Sequence, residues 1–325
     1  MKNFWQELHT PMFVLAPMAD VTDPAYRRLI AECGKPDVTW TEFVSADGLY
    51  HTREKKKLRN EENPLMRDLS FTDAERPVVA QFFTSKPEMM EYAAALAVSL
   101  GFDGVDINMG CPDTSIEKQG AGAAHIKDPS QAKKVIQAAH RGTGGRIPVS
   151  VKTRIGYTTE LIDTWVPALL GEGIAALTLH LRTRKEMSKV PARWELMGRA
   201  VDIRNRLGVE TRMLGNGDAT DLEDAREKAR ISGADGVMLG RAIFGNPWVF
   251  SGRKPEGLSK EERLWALSKL AEYFSELTPP KHYALLKKHF KAFVSGWQGA
   301  VELRAKLMDT NSVDEFRALL SSTIN

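Results

Sequence analysis

Residues 104–112 read Gly104-Val105-Asp106-Ile107-Asn108-Met109-Gly110-Cys111-Pro112. A short run with β-branched members closes on a glycine, a thiol and a stiffening proline, the pattern of a buried strand that carries a reactive group onto a loop. Seven more such runs lie at 12–16, 38–44, 78–83, 148–153, 176–181, 211–216 and 236–241. Most lack clean apolar/polar alternation, as expected of parallel strands covered on both faces. Helical spacing occupies the intervals, over 86–100, 128–141, 160–172, 193–207 and 220–232. Eight strand-then-helix units predict an α/β fold, a (β/α)8 TIM barrel over residues 1–250, with its chemistry at the C-terminal ends of the strands.

A doubly wound sheet uses the same alternation, but it wants a glycine-rich phosphate turn after the first strand. That turn reads Ala16-Pro17-Met18-Ala19-Asp20, and the proline removes an amide such a cradle would use. Residues 251–258, rich in Gly, Pro and charge, read as a linker. Strand signals then vanish. Segments 260–277, 280–296 and 300–308 have helical spacing, and Ser312 caps a last helix, so 259–325 is expected to be a small all-helical domain.

Composition bounds the function. Among 325 residues, 42% are hydrophobic and 27% charged, as in soluble globular proteins. The longest apolar stretch, 93–102, is broken by Ser99 and Gly101 and is too short for a membrane span. The N-terminus lacks a secretory pattern, and Cys33 and Cys111, the only cysteines, provide neither a disulfide framework nor a metal-binding CxxC pair. A cytoplasmic monomer without a metal is expected. The net charge of +3 leans toward a polyanionic partner without establishing one.

Candidate chemistry clusters at strand ends. Cys111 follows the fourth strand on a stiff loop beside Asn108, whereas Cys33 falls in the helix after the first strand and reads as a small buried hydrophobe. Leu214-Gly215-Asn216-Gly217-Asp218 follows strand seven and Leu239-Gly240-Arg241 follows strand eight, the loops that commonly cradle phosphate in this fold. Lys152 and Arg154 end strand five; His180 and Arg182 end strand six. Cations there suit an electron-rich ring or a phosphorylated ligand. Gln81, polar inside a core strand, needs partners that the pyrimidine edge of a flavin would supply.

The ordered set Ala16 to Asp23, Thr41-Glu42, Asn108 to Pro112, Gly120 to Ala123, Val151 to Tyr157, His180 to Arg184, Asn216 to Asp218 and Met238 to Trp248 resembles the tRNA-dihydrouridine synthase family. The resemblance implies an FMN-dependent oxidoreductase that reduces uridine to 5,6-dihydrouridine in RNA, most naturally tRNA, with NADPH as reductant. It implies that Pro17, Met18 and Ala19 line the flavin ring through their backbone, that Gln81, Lys152 and His180 hydrogen-bond it, and that Asn216, Gly217, Asp218, Gly240 and Arg241 hold the phosphate. Cys111 would protonate uracil C5 after hydride delivery to C6. Asn108, Arg154, Arg182, Lys287 and Lys288 are candidate substrate contacts. Basic groups at 53–59, 182–185 and 281–291 are candidate RNA surfaces. The chain departs from the family's usual glycines at Asp20 and Leu181 and from an apolar residue at His125, read as a surface histidine. Two other readings stand beside this one: a dihydroorotate dehydrogenase-like FMN barrel acting on a free pyrimidine, and an RNA-binding barrel without flavin.

Overall fold

The computed structural model describes residues 3–324. Nine strands share one sheet: β1 (Met12–Leu15), β2 (Thr39–Trp40), β3 (Val44–Ser45), β4 (Val78–Phe83), β5 (Gly104–Met109), β6 (Val149–Arg154), β7 (Ala176–His180), β8 (Arg212–Asn216) and β9 (Gly236–Leu239). All pair parallel, in the order β1-β9-β8-β7-β6-β5-β4-β2, with β3 also on β4. The circuit closes where Val14 bridges Val38 and the Leu15 N–H donates to the Val38 carbonyl at 3.1 Å. Since β2 and β3 are two parts of one stave, the sheet is an eight-staved TIM barrel.

The strand expected over 38–44 is therefore interrupted. The Thr41 hydroxyl accepts the Gln81 N–H at 3.0 Å in place of a ladder carbonyl, and Glu42 turns away to partners outside the sheet. The other seven strands fall within a residue or two of their expected bounds.

Alternation exists that the sequence reading missed. Val105, Ile107, Val149, Val151, Leu177, Leu179, Met213 and Val237 point outward into the layer packed against helices. The opposite parity faces the lumen. There Trp5, Met12, Val14, Val38, Trp40, Val79, Ala176, Leu214 and Met238 form a separate apolar cluster. Trp5, from the short helix Phe4–Glu7, lies with its ring centroid 5.6 Å from that of Trp40 and helps fill the lower lumen. Higher on the same parity come Gln81, Asp106, Asn108, Ser150, Lys152, Arg154, His180 and Asn216, so the lumen turns from apolar to polar toward the C-terminal strand ends.

Helix boundaries follow local signals. Asp23 accepts the Tyr26 N–H at 3.0 Å and Pro24 opens Pro24–Gly34; Asp128 caps Pro129–Thr143, which stops at the left-handed Gly144. The C-terminal region consists of Lys260–Ser275, Ala284–Phe293, Ala300–Asp309 and Val313–Ile324. Ser259 and Glu262 start the first of these with a reciprocal capping box, and the Ser312 hydroxyl oxygen accepts the Glu315 N–H at 3.1 Å to start the last.

These helices pack on the barrel rather than standing apart. Phe290 stacks on Phe316 at 5.3 Å, while Tyr26 of the barrel lies edge-on to His289 and Phe293. The buried Tyr26 hydroxyl donates to the Ile243 carbonyl, and Arg28 pairs with Glu276 at 2.7 Å. Among the described residues no helix is long and apolar enough to cross a membrane.

Arg27 and Glu75 form a fully buried ion pair at 2.8 Å, with the remaining guanidinium N–H groups donating to the Thr22 and Ser70 carbonyls. Removing one partner strands the other charge, which costs about 3–5 kcal/mol. Glu75→Ala is expected to lose stability on that scale in guanidinium chloride unfolding; a loss under about 1 kcal/mol would show that the pair is not a structural tie.

Candidate active site

A cleft of about 660 Å3 opens at the C-terminal strand ends. It is lined by Pro17, Met18, Lys152, His180, Asn216, Gly217, Asp218, Gly240 and Arg241, nine of the eleven residues expected at a cofactor, together with Arg182, Ser188 and Phe244. Ala19 and Gln81 are not among its lining residues. Of the β1 loop's backbone groups, Pro17 has no N–H, and the Met18 N–H donates to the Thr22 hydroxyl at 2.9 Å.

Gln81 is fully buried and already partnered. Asp106, beneath it, has both carboxylate oxygens accepting, from Gln81 Nε2 at 2.7 Å and from the Ser150 hydroxyl at 2.6 Å. An ionised carboxylate cannot donate, so Gln81 must present its amide nitrogen downward. Its oxygen then accepts Asn108 Nδ2 at 3.1 Å, and Asn108 Oδ1 accepts the N–H groups of Gly110 and Cys111 at 3.1 and 2.9 Å. One carboxylate thereby sets the direction of a hydrogen-bond chain that ends on the backbone of Cys111. Asn108, expected at the substrate, serves here as the anchor of the cysteine loop.

Burial pushes the Asp106 acid up to about 6, against the pull of Ser150, Gln81 and nearby Lys152. Desolvation, with Arg154 adding repulsion, brings the Lys152 ammonium down to about 8. Lys152 Nζ donates to Asn216 Oδ1 at 3.2 Å, and Asn216 Nδ2 donates to the Met238 carbonyl at 2.8 Å. His180 is held well below its ordinary value by burial first and then by Arg154, Lys152, Arg182 and Arg241, so it is a neutral imidazole. Four cations around one neutral ring make this end of the cleft a site for negative charge.

Two glycines lie in the cleft lining close to these groups. Gly217 has φ +129°, and a Cβ there would come within 2.7 Å of Ala192. At Gly240 a Cβ would meet only Met18 Sδ at 3.5 Å and Ala16 Cβ at 3.6 Å, ordinary contacts. Glycine at 240 is thus not required by the protein's own packing, and its missing side chain leaves the cleft clear at that point. Asp218 accepts from Arg182 and from Arg241, at 2.5 and 2.6 Å, so the acid orients two guanidiniums toward the cleft. Burial raises its pKa, but Arg182, the Ala192 amide and Arg241 outweigh this and hold it below the ordinary carboxylate value.

Cys111 is half-buried at the end of β5, one stave from Lys152, and burial pushes its thiol up. Its carbonyl accepts the Ala123 N–H at 2.9 Å. Arg154 braces the loop by donating to the Gly110 carbonyl at 2.9 Å and to the carbonyls of Thr183 and Met187. A family model described as dihydrouridine synthase matches residues 14–325. The chain belongs to the dihydrouridine synthase family.

Curated relatives agree over nearly the whole length. The Bacillus subtilis (strain 168) "Probable tRNA-dihydrouridine synthase 2" is 42% identical across 98% of this chain and 96% of its own. The Staphylococcus epidermidis and Staphylococcus aureus (strain COL) proteins named "Probable tRNA-dihydrouridine synthase" are 39% and 40% identical over similar shares, 99% and 98% of this chain and 96% and 95% of theirs. Among solved structures, histamine dehydrogenase from Rhizobium sp. 4-9 superposes with TM-score 0.52 at 12% identity over 81% of this chain, and a 2-naphthoyl-CoA reductase complex with 0.54 at 9% over 74%. The chain spans 49% of each of those structures, and the likeness is one of fold.

Family membership makes the departures instructive. Asp20, where the resemblance led to an expectation of glycine, sits at φ +55°, a left-handed turn that glycine adopts freely and aspartate tolerates. His125 is buried, not a surface histidine: its Nε2 lies 3.0 Å from the Thr84 carbonyl, and burial lowers its pKa. Lys281, expected on an RNA surface, is also buried, paired with Glu42 at 2.7 Å. The 53–59 group is partly neutralised by its own neighbours, Lys57 by Glu54 and Arg59 by Glu61 and Glu62, and Arg184 pairs with Glu117. Lys287 donates to the Met308 carbonyl at 2.7 Å, and exposed Lys288 lies 3.0 Å from Asp20.

Three residues of consequence were quoted within motifs but given no role of their own: Asp106, Glu42 and Met238. An acid between Val105 and Ile107 is the signal for the first, since a carboxylate in an apolar strand must face something polar.

Because the folded acid titrates above its ordinary 3.8, Asp106 favours the native state fully below about pH 4, and that contribution is lost as pH rises through about 6. Asp106→Asn removes the titration. Its stability relative to the parent is expected to shift in the variant's favour between about pH 4 and about pH 7, with a slope of at most about 1.4 kcal/mol per pH unit. Parallel stability curves across that range would mean Asp106 does not ionise in this setting.

Proposed function

We propose that the chain reduces uridine to 5,6-dihydrouridine in tRNA, with FMN held in the cleft and NADPH as reductant. Residues 1–250 carry the chemistry and 259–325 grip the RNA. The observation that carries the reading is a cation-rich cleft at the barrel mouth with an anchored thiol on the loop after the adjacent strand, close enough for Lys152 and Arg154 to act on it.

The residues suit the cofactor. Arg182 and Arg241, aimed by Asp218, supply bidentate donors for a phosphate, and the side-chain-free position at Gly240 lets it approach the backbone. Lys152 and neutral His180 would suit the polar edge of an electron-rich ring, and Met18 would line the same cleft. Bound and reduced FMN supplies the hydride. Everything else falls to the chain.

Uracil's C5=C6 bond is conjugated with its C4 carbonyl, so addition at C6 pushes negative charge toward C5 and O4. A proton must then reach C5. Cys111 carries one at neutral pH because burial raises its thiol, which makes it a general acid rather than a thiolate nucleophile. Its S–H bond breaks as the C5–H bond forms, and water returns the proton to sulfur. The cations of Lys152 and Arg154 beside it favour the transient thiolate. The target base reaches the cleft by leaving its stack.

The full-length protein is expected to bind FMN and to oxidise NADPH with dihydrouridine appearing in tRNA; turnover with orotate and not with tRNA would instead favour a free-pyrimidine oxidoreductase. In Cys111→Ala, flavin binding and its reduction by NADPH persist while dihydrouridine formation falls by about 10²–10⁴-fold. Undiminished product would exclude the thiol as the acid. Lys287→Glu with Lys288→Glu is expected to weaken tRNA binding and flatten the plot of log affinity against log salt by up to about two contacts' worth. An unchanged slope would place the phosphates elsewhere.

A further inference from the structure

Lys281 precedes the helix Ala284–Phe293, yet its side chain is only 3% exposed and reaches into the barrel. Its ammonium lies 2.7 Å from Glu42, 3.6 Å from Asp23 and 3.6 Å from Asp68. A buried ammonium is tolerated only when paired. Here every partner belongs to the barrel and none to the helical region that carries the lysine.

The pairing leads to the cleft in two steps. The other oxygen of Glu42 accepts the backbone N–H of Asp20, the residue in the left-handed turn. Asp20 directly follows Pro17-Met18-Ala19, and Pro17 and Met18 form one wall of the cleft. Asp23, the second carboxylate on Lys281, caps the helix into which the same loop runs. The interruption between β2 and β3 is what frees Glu42 to face this way.

The geometry points to Lys281 as a positioning residue: from the C-terminal helical region it fixes, through Glu42, the β1 loop that walls the cleft, so that wall takes its shape only when the helical region is docked. This rests on the cleft being the FMN site. Loss of the ammonium leaves Glu42 buried beside two other carboxylates, which drives it from its place and releases the Asp20 N–H.

The test compares full-length wild type with Lys281→Met, Lys281→Arg and Arg28→Ala. The last removes another barrel-to-helix ion pair, Arg28 with Glu276, which does not touch the β1 loop. Hydrogen–deuterium exchange of residues 18–22 is read without relying on flavin. Lys281→Met is expected to exchange there at least tenfold faster, with the 216–218 loop unchanged, and to raise the FMN dissociation constant at least tenfold by fluorescence quenching. Lys281→Arg restores most of both, and Arg28→Ala moves neither more than twofold. If Lys281→Met does not fold, Lys281→Gln, which removes the ammonium but keeps a neutral N–H donor, is measured the same way and is expected to show the same fast exchange. Exchange at 18–22 within twofold of wild type, or equal acceleration in Arg28→Ala, overturns the inference. Wild-type protein that binds no FMN overturns the cofactor reading instead, and the exchange data still decide the role of Lys281.

Discussion

A strand inside a closed barrel must send every second side chain into the lumen, and the rest of this molecule is arranged around that constraint. Below, Trp5 and Trp40 help fill the space with apolar volume. Above, the same parity carries Gln81, Asp106, Asn108, Lys152, His180 and Asn216, groups that burial penalises unless they bond one another or face the cleft. Asp106 settles how they do it. As an acceptor with no proton to give, it orients Gln81, which orients Asn108, which holds the amides of the Cys111 loop. The Cys111 loop inherits its position from a carboxylate three hydrogen bonds away.

Burial and charge then set the protonation of the side chains at the mouth. On the β6 to β9 side, burial first and crowding by cations second keep His180 neutral and lower Lys152, while Asp218 fixes the directions of Arg182 and Arg241. On the β5 side, burial dominates over the same cations at Cys111 and leaves a protonated thiol. Neighbouring staves thus carry a cluster of cations and a protonated thiol, with burial the leading influence at Lys152, His180 and Cys111 alike.

The C-terminal helices enter this arrangement through contacts at the base of the β1 loop. Tyr26 inserts between the barrel and His289 and Phe293, and Lys281 penetrates to Glu42. Exposed Lys288 meets Asp20 from outside, on the same turn that Glu42 holds from within. A surface cation, a strained turn and the cleft wall are therefore contiguous.

The sequence by itself determined the barrel, because eight buried runs separated by helical spacing admit few parallel closures, and it determined the positions of Cys111 and of the Gly217 and Gly240 loops, because chemistry in this fold sits just past strand ends. The Ser312 cap was legible for the same local reason: its hydroxyl acts on an amide three residues away. Lumen parity was present in runs such as Val105-Asp106-Ile107-Asn108 but was masked by apolar residues on both faces. Only the tertiary structure decided what basic and polar side chains do. Lys281 and His125 looked like surface groups and are buried, and Gln81 looked like a cofactor ligand and is bonded to Asp106 and Asn108. The reason is range: a cap or a strand period is fixed by neighbours along the chain, whereas the partner of a buried charge is fixed by residues up to 239 positions away, as for Lys281 and Glu42, brought together only when the barrel closes and the helices dock.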